Sequence, residues 1–536
     1  MVKRIKQTQN SELRSSSIHL SLTRFQMAIK DSAKVHWGME NIQPYFPAIE
    51  RLFKTTHLEN LPSYGIKFSD EILAVLDSNR IQTSTGSVEI HRKTTMILSP
   101  YKWMQGEYAC SMPLPTSIEQ AMTTMQKLQD SNNAAYIGAL LSTVLSQSGC
   151  EHFPKVYGVF NGIANHTVDI SDDYMELSER KWFSQNIGRL FDIKLSDEIQ
   201  DTAEFKHTRT ARIAVQLGEN VTLGDIEELV AEHPTDASIS DISRVFHDDE
   251  KDDDACSDSS SVSTSYVFGV RSCDCSENES EDEEDDDESF EPFAWATFKH
   301  ALVQTTVMEK CEGTLYQLIV MNPDTDKHLA WISQVMFALA YAQRNFAFTH
   351  NDLHANNVMY KKTDKEFLYY SSGGILYRVP TFGYLIKIID FERGTASIKL
   401  TGMKEPKLFM SDHFRPDEEA GGQYNYGEFY HSKYPEIKPN PSFDLVRLAT
   451  SLYTDLFPTT KSDHLLHTLM KKWLTLEDGT SILFSKEDHD RYHGFHLYKA
   501  IARFCKDTAV PRKEIMLLKD IYGVETSNNT SVLMID

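Results

Sequence analysis

The chain reads as an α+β protein of two lobes: a small strand-rich N-terminal lobe carrying an acidic insertion, and a mainly helical C-terminal lobe. Three observations predict this. Alternating apolar and polar residues fill positions 66–100, and strand composition returns at 152–163 and 293–310. Between Asp248 and Glu291, 19 Asp or Glu stand against two basic residues, Lys251 and Arg271. Such a window cannot bury enough apolar surface to offset its ordering entropy, so a disordered insertion is expected there. Beyond it, apolar residues recur mostly at helical spacing.

Taken in order, residues 1–35 are rich in Ser, Thr, Gln and Lys with weak periodicity, and are expected to form a flexible N-terminal arm. The clearest strand text is SVEIHRKTTMIL at 87–98, where Val88, Ile90, Thr94, Met96 and Leu98 keep period two. Residues 117–145 turn helical, free of Pro, with Ala135, Leu140, Leu141 and Leu145 as the apolar side. Order resumes at 293–310 and leads into a buried strand, and a second strand of that type is LIKIIDF at 385–391. Helices are predicted at 329–344 and 442–456, with an insertion hairpin at 361–383. The expected division is an arm at 1–35, an N-lobe at 36–308 containing the insertion 248–291, a hinge and C-lobe at 309–522, and a tail at 523–536.

Five hundred and thirty-six residues, 40% hydrophobic, exceed what one small core needs. The formal charge of −24 is concentrated: the acidic window supplies 19 − 2, or −17, leaving −7 for the remainder. That balance argues against a nucleic-acid binder held by phosphate neutralisation. The seven cysteines are odd in number and scattered, which fits a reducing compartment better than a disulfide framework. Cys273 and Cys275 form a C-x-C pair without a second pair at zinc spacing. With no long apolar run, the expectation is a soluble intracellular protein with no membrane partner.

The chemistry is concentrated in FTHNDLHANNVMY at 348–360, where Asp352 and Asn357 stand five apart in a short polar turn after an apolar helix. In phosphoryl transfer to a hydroxyl, a carboxylate orients the nucleophile's proton while an amide oxygen holds magnesium; this spacing lets both face one cleft. Asp352 is the candidate base, Asn357 a metal ligand, and His350 a supporting catalytic-loop residue. Asp390, after the aliphatic strand of IKIIDFERG, is the candidate second metal ligand and phosphate contact. Upstream, TTVMEKCEGTL places Glu309 and Cys311 at a hinge whose backbone could hydrogen-bond an adenine edge, although a plain strand-to-helix connection reads equally well.

On these residues the chain resembles the protein kinase superfamily from about Ile66 to Tyr522. Asp444 in PSFDLVRLATSLY matches the helix Asp that braces the catalytic loop, and Ile90-His91-Arg92-Lys93 resembles the V-A-I-K strand, implying that Lys93 contacts the α- and β-phosphates. Lys102 competes for that role. Phrases such as TMILSPYKWMQGEY, HNDLHANNVMY and YRVPTFGYLIKIIDF look like the kinase-like proteins of large nucleocytoplasmic DNA viruses, which implies an infected host's cytoplasm or the virion as location.

There are also departures. No G-x-G-x-x-G precedes Lys93; the nearby glycines are Gly65 and Gly86. NNAAYIGALLSTVLSQ has no acidic residue to pair with Lys93, leaving Glu119 as the expected partner. Asp390-Phe391-Glu392 replaces D-F-G, putting a Cβ where a glycine would permit unusual φ. His354 stands where Ser/Thr kinases usually have a lysine. The resemblance implies ATP- and Mg-dependent phosphorylation of Ser/Thr hydroxyls, with ATP and a protein substrate as partners and no nucleic acid. Small-molecule kinases of the choline kinase and aminoglycoside phosphotransferase type, and a pseudokinase scaffold, remain as alternatives. The acidic insertion is expected to attract a basic partner or carry phosphate on Ser276 and Ser280.

Overall fold

β-Branched residues favour the pleated surface, and Val303, Thr305, Thr306 and Val307 stand close together in one strand. The structure is a computed structural model that describes residues 17–108, 123–171, 173–196, 293–425, 437–457, 462–485, 491–492, 494–525 and 531–536. Its first strands are β1 (Leu22–Arg24), β2 (Glu40–Gln43), β3 (Tyr64–Ile66), β4 (Ile72–Val75), β5 (Arg80–Thr83), β6 (Gly86–Met96), β7 (Val156–Asp169), β8 (Phe191–Ser196) and β9 (Phe293–Glu309). Among the described residues, seven of these form one antiparallel sheet in the order β2-β7-β9-β6-β5-β4, with β8 also on β9. β9 is its centre: Thr305, Thr306 and Val307 lie between β6 and β7, while Phe293 to Phe298 pair with β8. His300, left-handed at φ 51°, sits where the β7–β9 register shifts, so one bulge bends this strand between its two sets of neighbours.

Ser196 pairs directly with Phe293, so the chain between them leaves and re-enters the sheet through two bonded antiparallel strands. The acidic window and the Cys273–Cys275 pair fall in that interval and lie outside the described residues. Three of the seven cysteines are described, Cys150, Cys311 and Cys505, and all three are free thiols.

The N-terminal boundary differs from expectation. A helix, Met27–Trp37, begins inside the stretch read as an arm, runs two residues past its end, and is closed by Gly38 with φ 62°. Its periodicity is weak because only Ile29, Ala33 and Trp37, one turn apart, are buried. The predicted helix at 117–145 is two helices, Thr123–Gln129 and Ala134–Ser146; Asn133 caps the second by accepting from the Ala135 amide. Residues 117–122 lie outside the described set.

The second half adds β10 (Gly313–Thr314), β11 (Val358–Lys362), β12 (Phe367–Ser372), β13 (Ile375–Pro380), β14 (Tyr384–Ile388), β15 (Thr395–Ile398), β16 (Lys407–Met410), β17 (Gly523–Val524) and β18 (Val532–Met534). Most of the predicted tail is therefore structured: β17 pairs with β13, β18 with β12, and Ile535 is fully buried. The predicted hairpin is β12–β13, closed by Gly373 and Gly374 at φ 60° and 75°, the conformation a two-residue hairpin turn needs. The helix Thr325–Phe346 is the spine of this half. Asp324 caps it, and Gln334 bonds both ways to β14, accepting from the Ile386 amide and donating to the Tyr384 carbonyl. The helix predicted at 442–456 breaks at Ser451 and Leu452 into Phe443–Thr450 and Tyr453–Leu456.

Phe337 on the spine stacks on Tyr370 of the hairpin, ring centres 4.0 Å apart and 6° from parallel. The Tyr370 hydroxyl and the Ile386 carbonyl then hold the two nitrogens of buried His152, each at 2.8 Å. Phe337→Ala leaves a cavity under the hairpin and is expected to cost about 3–5 kcal/mol, read as a lower urea midpoint. Arg378→Ala, on the outer side of β13, should change the midpoint little.

Candidate active site

The catalytic-type turn exists because the spine helix ends. Ala347 takes a left-handed φ of 46°, and the chain then forms one antiparallel bridge between Thr349 and Thr395. The next amides would be buried without partners. Asp444, in the first turn of the helix Phe443–Thr450, accepts from the His350 amide at 2.9 Å and the Asn351 amide at 3.0 Å. Burial pushes its carboxyl up to about 6, even with His350 and the two amides pulling it down. Asn351 is left-handed at φ 66°; its amide group donates to the Arg393 carbonyl and its oxygen accepts from the Tyr424 hydroxyl.

His350 accepts from the Asp352 amide at Nδ1 and donates through Nε2 to the Ile389 carbonyl at 2.7 Å, which assigns the neutral Nε2–H tautomer. It therefore joins the turn to the segment that carries Asp390. Asn357 does so too: its carbonyl accepts from the Ile389 amide, its side-chain nitrogen donates to the Asp352 carbonyl at 2.9 Å, and Val358 pairs with Ile388. Asn357 and Asp390 thus stand side by side at the end of the β11–β14 ladder. The unusual backbone at this motif falls on Asp390, φ 65°, and not on Glu392, the residue that stands in place of glycine.

Asp352 is buried. Its carboxylate accepts from the Tyr498 hydroxyl at 2.6 Å, with Arg393 at 3.8 Å and His354 at 4.0 Å. Burial would raise this carboxyl, but Arg393, His354, Arg447 and the Tyr498 hydroxyl outweigh it and hold it below its ordinary value. His354 goes the other way: burial pushes its imidazole down to about 4 against the pull of Asp352. At neutral pH the pair is an anionic carboxylate beside a neutral imidazole.

Lys93 reaches across from β6. Its Nζ lies 2.5 Å from Asp390 and 2.8 Å from Glu392. The competitor, Lys102, belongs to the helix Pro100–Gln105 and pairs with Glu418 at 3.4 Å. Glu119 lies outside the described residues; among the described residues, the acidic partners of Lys93 are on the Asp390 turn. No glycine is needed at the edge of the sheet: the β4–β5 turn closes from Leu76 to Arg80, with Asp77 bonded to the Arg80 guanidinium at 2.7 Å.

Glu309, read as the first hinge residue, is the last residue of β9, opposite Ile90, and its side chain is committed. It pairs with Lys361 at 2.7 Å and Lys387 at 2.6 Å and accepts from the Lys155 amide, while its own amide donates to the Lys155 carbonyl. Cys311 is half-buried in the connection from β9 to β10, its thiol pushed up to about 11 by burial and Glu309. Glu392, Arg393 and Tyr498 were not singled out as site residues from the sequence. Glu392 carried a signal, an acid in the place of glycine; Tyr498 is 146 residues from Asp352 and carried none.

Part of the chain matches known proteins. Over 121 residues it is 34% identical to the candidate serine/threonine-protein kinase of Acanthamoeba polyphaga mimivirus, covering 20% of this chain and 25% of that protein. Over 60 residues it is 38% identical to the serine/threonine-protein kinase haspin of Mus musculus and of Bos taurus, 11% of this chain and 8% of each haspin. The chain is protein-kinase-like. The matches span at most a quarter of those relatives' length, and no protein-family profile matches the chain. Its mixed architecture, a curled sheet first and helices later, is compatible with a kinase-like fold. No helix among the described residues is long and apolar enough to cross a membrane.

One pH effect follows for this kinase-like site. His354 titrates near 4 when folded and near 6.5 when unfolded, so the unfolded chain takes up the proton first as pH falls. Its contribution to stability is complete above about 6.5 and is lost toward 4, by up to about 1.4 kcal/mol per pH unit. The stability difference between wild type and His354→Gln should therefore shrink as pH drops through that window in urea unfolding; a constant difference would contradict a buried neutral imidazole.

Proposed function

We propose that this protein transfers the γ-phosphoryl of ATP, with magnesium, to Ser or Thr hydroxyls of protein substrates. The observation that carries this reading is that Lys93 on β6 pairs with Asp390, while Asn357 is bonded both to the Ile389 amide beside Asp390 and to the Asp352 carbonyl, so that β6 and two separate loops are tied together at these residues. Catalysis of this kind is mostly positioning and charge stabilisation, which is what a fixed carboxylate, two oxygen donors and a cation supply. Asp352, ionised, orients the acceptor hydroxyl and takes up its proton. Asn357, whose side-chain nitrogen is turned to the Asp352 carbonyl, keeps its amide oxygen for a cation; with the Asp390 carboxylate it would hold magnesium, which would supply charge to the phosphates. Lys93 neutralises phosphate charge, and His350 and Asp444 hold the loop.

The connection Glu309 to Glu312 would meet the adenine edge through its backbone. Since the Glu309 amide is bonded to Lys155, that contact falls to the Glu309 carbonyl and the Cys311 backbone. The division proposed is an N-lobe ending at Met308 and a C-lobe from the hinge onward, with the acidic stretch 248–291 drawing a basic partner by charge.

A second reading has one observation in its favour. His354, neutral and buried, supplies no charge to the transferred group, and this favours an acceptor that brings its own polarity, such as a small amino alcohol or aminoglycoside. Magnesium-dependent ATP turnover should be assayed with a generic basic protein and with these small acceptors in parallel. Asp352→Asn, chosen to keep the shape beside Arg393, is expected to lower turnover roughly 10²- to 10⁴-fold with the unfolding midpoint measured alongside. Asp390→Asn should lose the magnesium-dependent turnover. Turnover that survives both changes would remove the assignment, and absence of both turnover and nucleotide binding in the wild type would leave a scaffold.

A further inference from the structure

We propose that Glu392 is the carboxylate that positions Lys93 for the nucleotide phosphates, so that the lysine is oriented from the turn carrying Asp390 and not from the helix Ala134–Ser146. The inference rests on the phosphoryl-transfer reading and adds a positioning residue to it.

Lys93 and Thr95 alternate onto one face of β6, and both reach the same oxygen of Glu392, Nζ at 2.8 Å and Oγ1 at 2.6 Å. The Thr95 hydroxyl fixes the carboxylate independently of the lysine. Glu392 is only 5% exposed, so its charge is held where the ammonium can answer it. Asp390 also pairs with Lys93, but it is the candidate metal ligand, and its charge would be shared between metal and lysine. Glu392 is the described partner with no such second task.

The helix makes room for this arrangement. Ala134–Ser146 contains no acidic residue, and where it meets the turn it presents Gly138. A Cβ there would lie 2.6 Å from Glu392 Cγ and 3.4 Å from both its Cα and its backbone nitrogen. One turn along, Leu141 closes on Gly394 in the same way: a Cβ on that glycine would sit 2.6 Å from Leu141 Cδ1. Helix and turn are thus tightly packed at two points, Gly138 on Glu392 and the Leu141 side chain on Gly394. A side chain at 138 and a carboxylate at 392 compete for one volume, and this chain keeps the carboxylate.

The test is a cycle of variants read by magnesium-dependent ATP turnover, KM for ATP and thermal unfolding. Glu392→Gln keeps the shape and removes the charge; kcat/KM for ATP should fall about ten- to a hundredfold, the scale of one charge-assisted partner, with the unfolding midpoint little changed. Gly138→Ala should impair ATP use in the wild type by displacing Glu392, yet have no further effect on Glu392→Gly. Moving the charge, as Gly138→Glu with Glu392→Gly, should recover part of the loss, which a purely structural role for either position does not predict. Should Glu392→Gln fail to fold, the Gly138 cycle decides alone. If the wild type turns over ATP and Glu392→Gln matches it, or loses stability without a change in KM, this inference is overturned and the kinase reading stands. If the wild type shows no magnesium-dependent turnover, the reading falls and the inference with it.

Discussion

A buried carboxylate facing two backbone amides is the interaction on which the site depends. The segment from Thr349 to Asn357 makes a tight, largely buried path in which several N–H groups have no helical or strand partner, and an orphaned amide costs as much as a lost hydrogen bond. Asp444 answers His350 and Asn351, and the Ser451 hydroxyl, at the end of the same helix, answers Ala355 at 3.1 Å. That helix therefore sets the height of the loop, and the loop sets where Asp352 and Asn357 stand. The raised carboxyl of Asp444 records what this costs: the charge is kept in a buried place because the amides need an acceptor.

A second constraint joins the sheet-rich half to the helical half through charge. Lys93 meets Asp390 and Glu392; Glu309 meets Lys361 and Lys387; Lys127 meets Glu418 at 2.6 Å and also Asp412, whose other oxygen accepts from the Ala134 amide at the start of the helix Ala134–Ser146. Buried pairs such as these are weak evidence for stability, since desolvation offsets much of the attraction. Their value is geometric. Each demands one partner at one distance, so together they specify how β6, β9 and that helix lie against β11, β14 and the Asp390 turn.

What was legible in the sequence was what local pattern encodes. The period-two text at 87–98 is β6, the aliphatic LIKI is β14, and the spaced Asp, Asn and Asp of the two motifs do stand together. The helix Met27–Trp37 was missed because three buried residues make a narrow stripe, and the tail strands because β17 and β18 gain their order only from pairing with the hairpin. Partner choice was least legible. Lys93 was given Glu119, which lies outside the described residues, while the two described acids that it meets lie 297 and 299 positions away on the turn it faces. A glycine in a helix and an acid where a glycine belongs are each unremarkable in isolation; only their contact gives them meaning.

The same logic bears on Asp352. A buried carboxylate with only hydrophobic neighbours would be neutral at pH 7 and useless as a base. Here Arg393 lies beside it and is itself anchored by Glu419, and the Tyr498 hydroxyl bonds one oxygen. These groups hold the carboxylate ionised and fix its orientation before any acceptor arrives. Preorganisation of that kind reduces the reorganisation left for the reacting step. It also explains the buried Tyr498, whose ring stacks on Phe495 at 5.0 Å while its hydroxyl stays on Asp352: the helix Phe495–Phe504 contributes to the site without supplying any of its reacting groups.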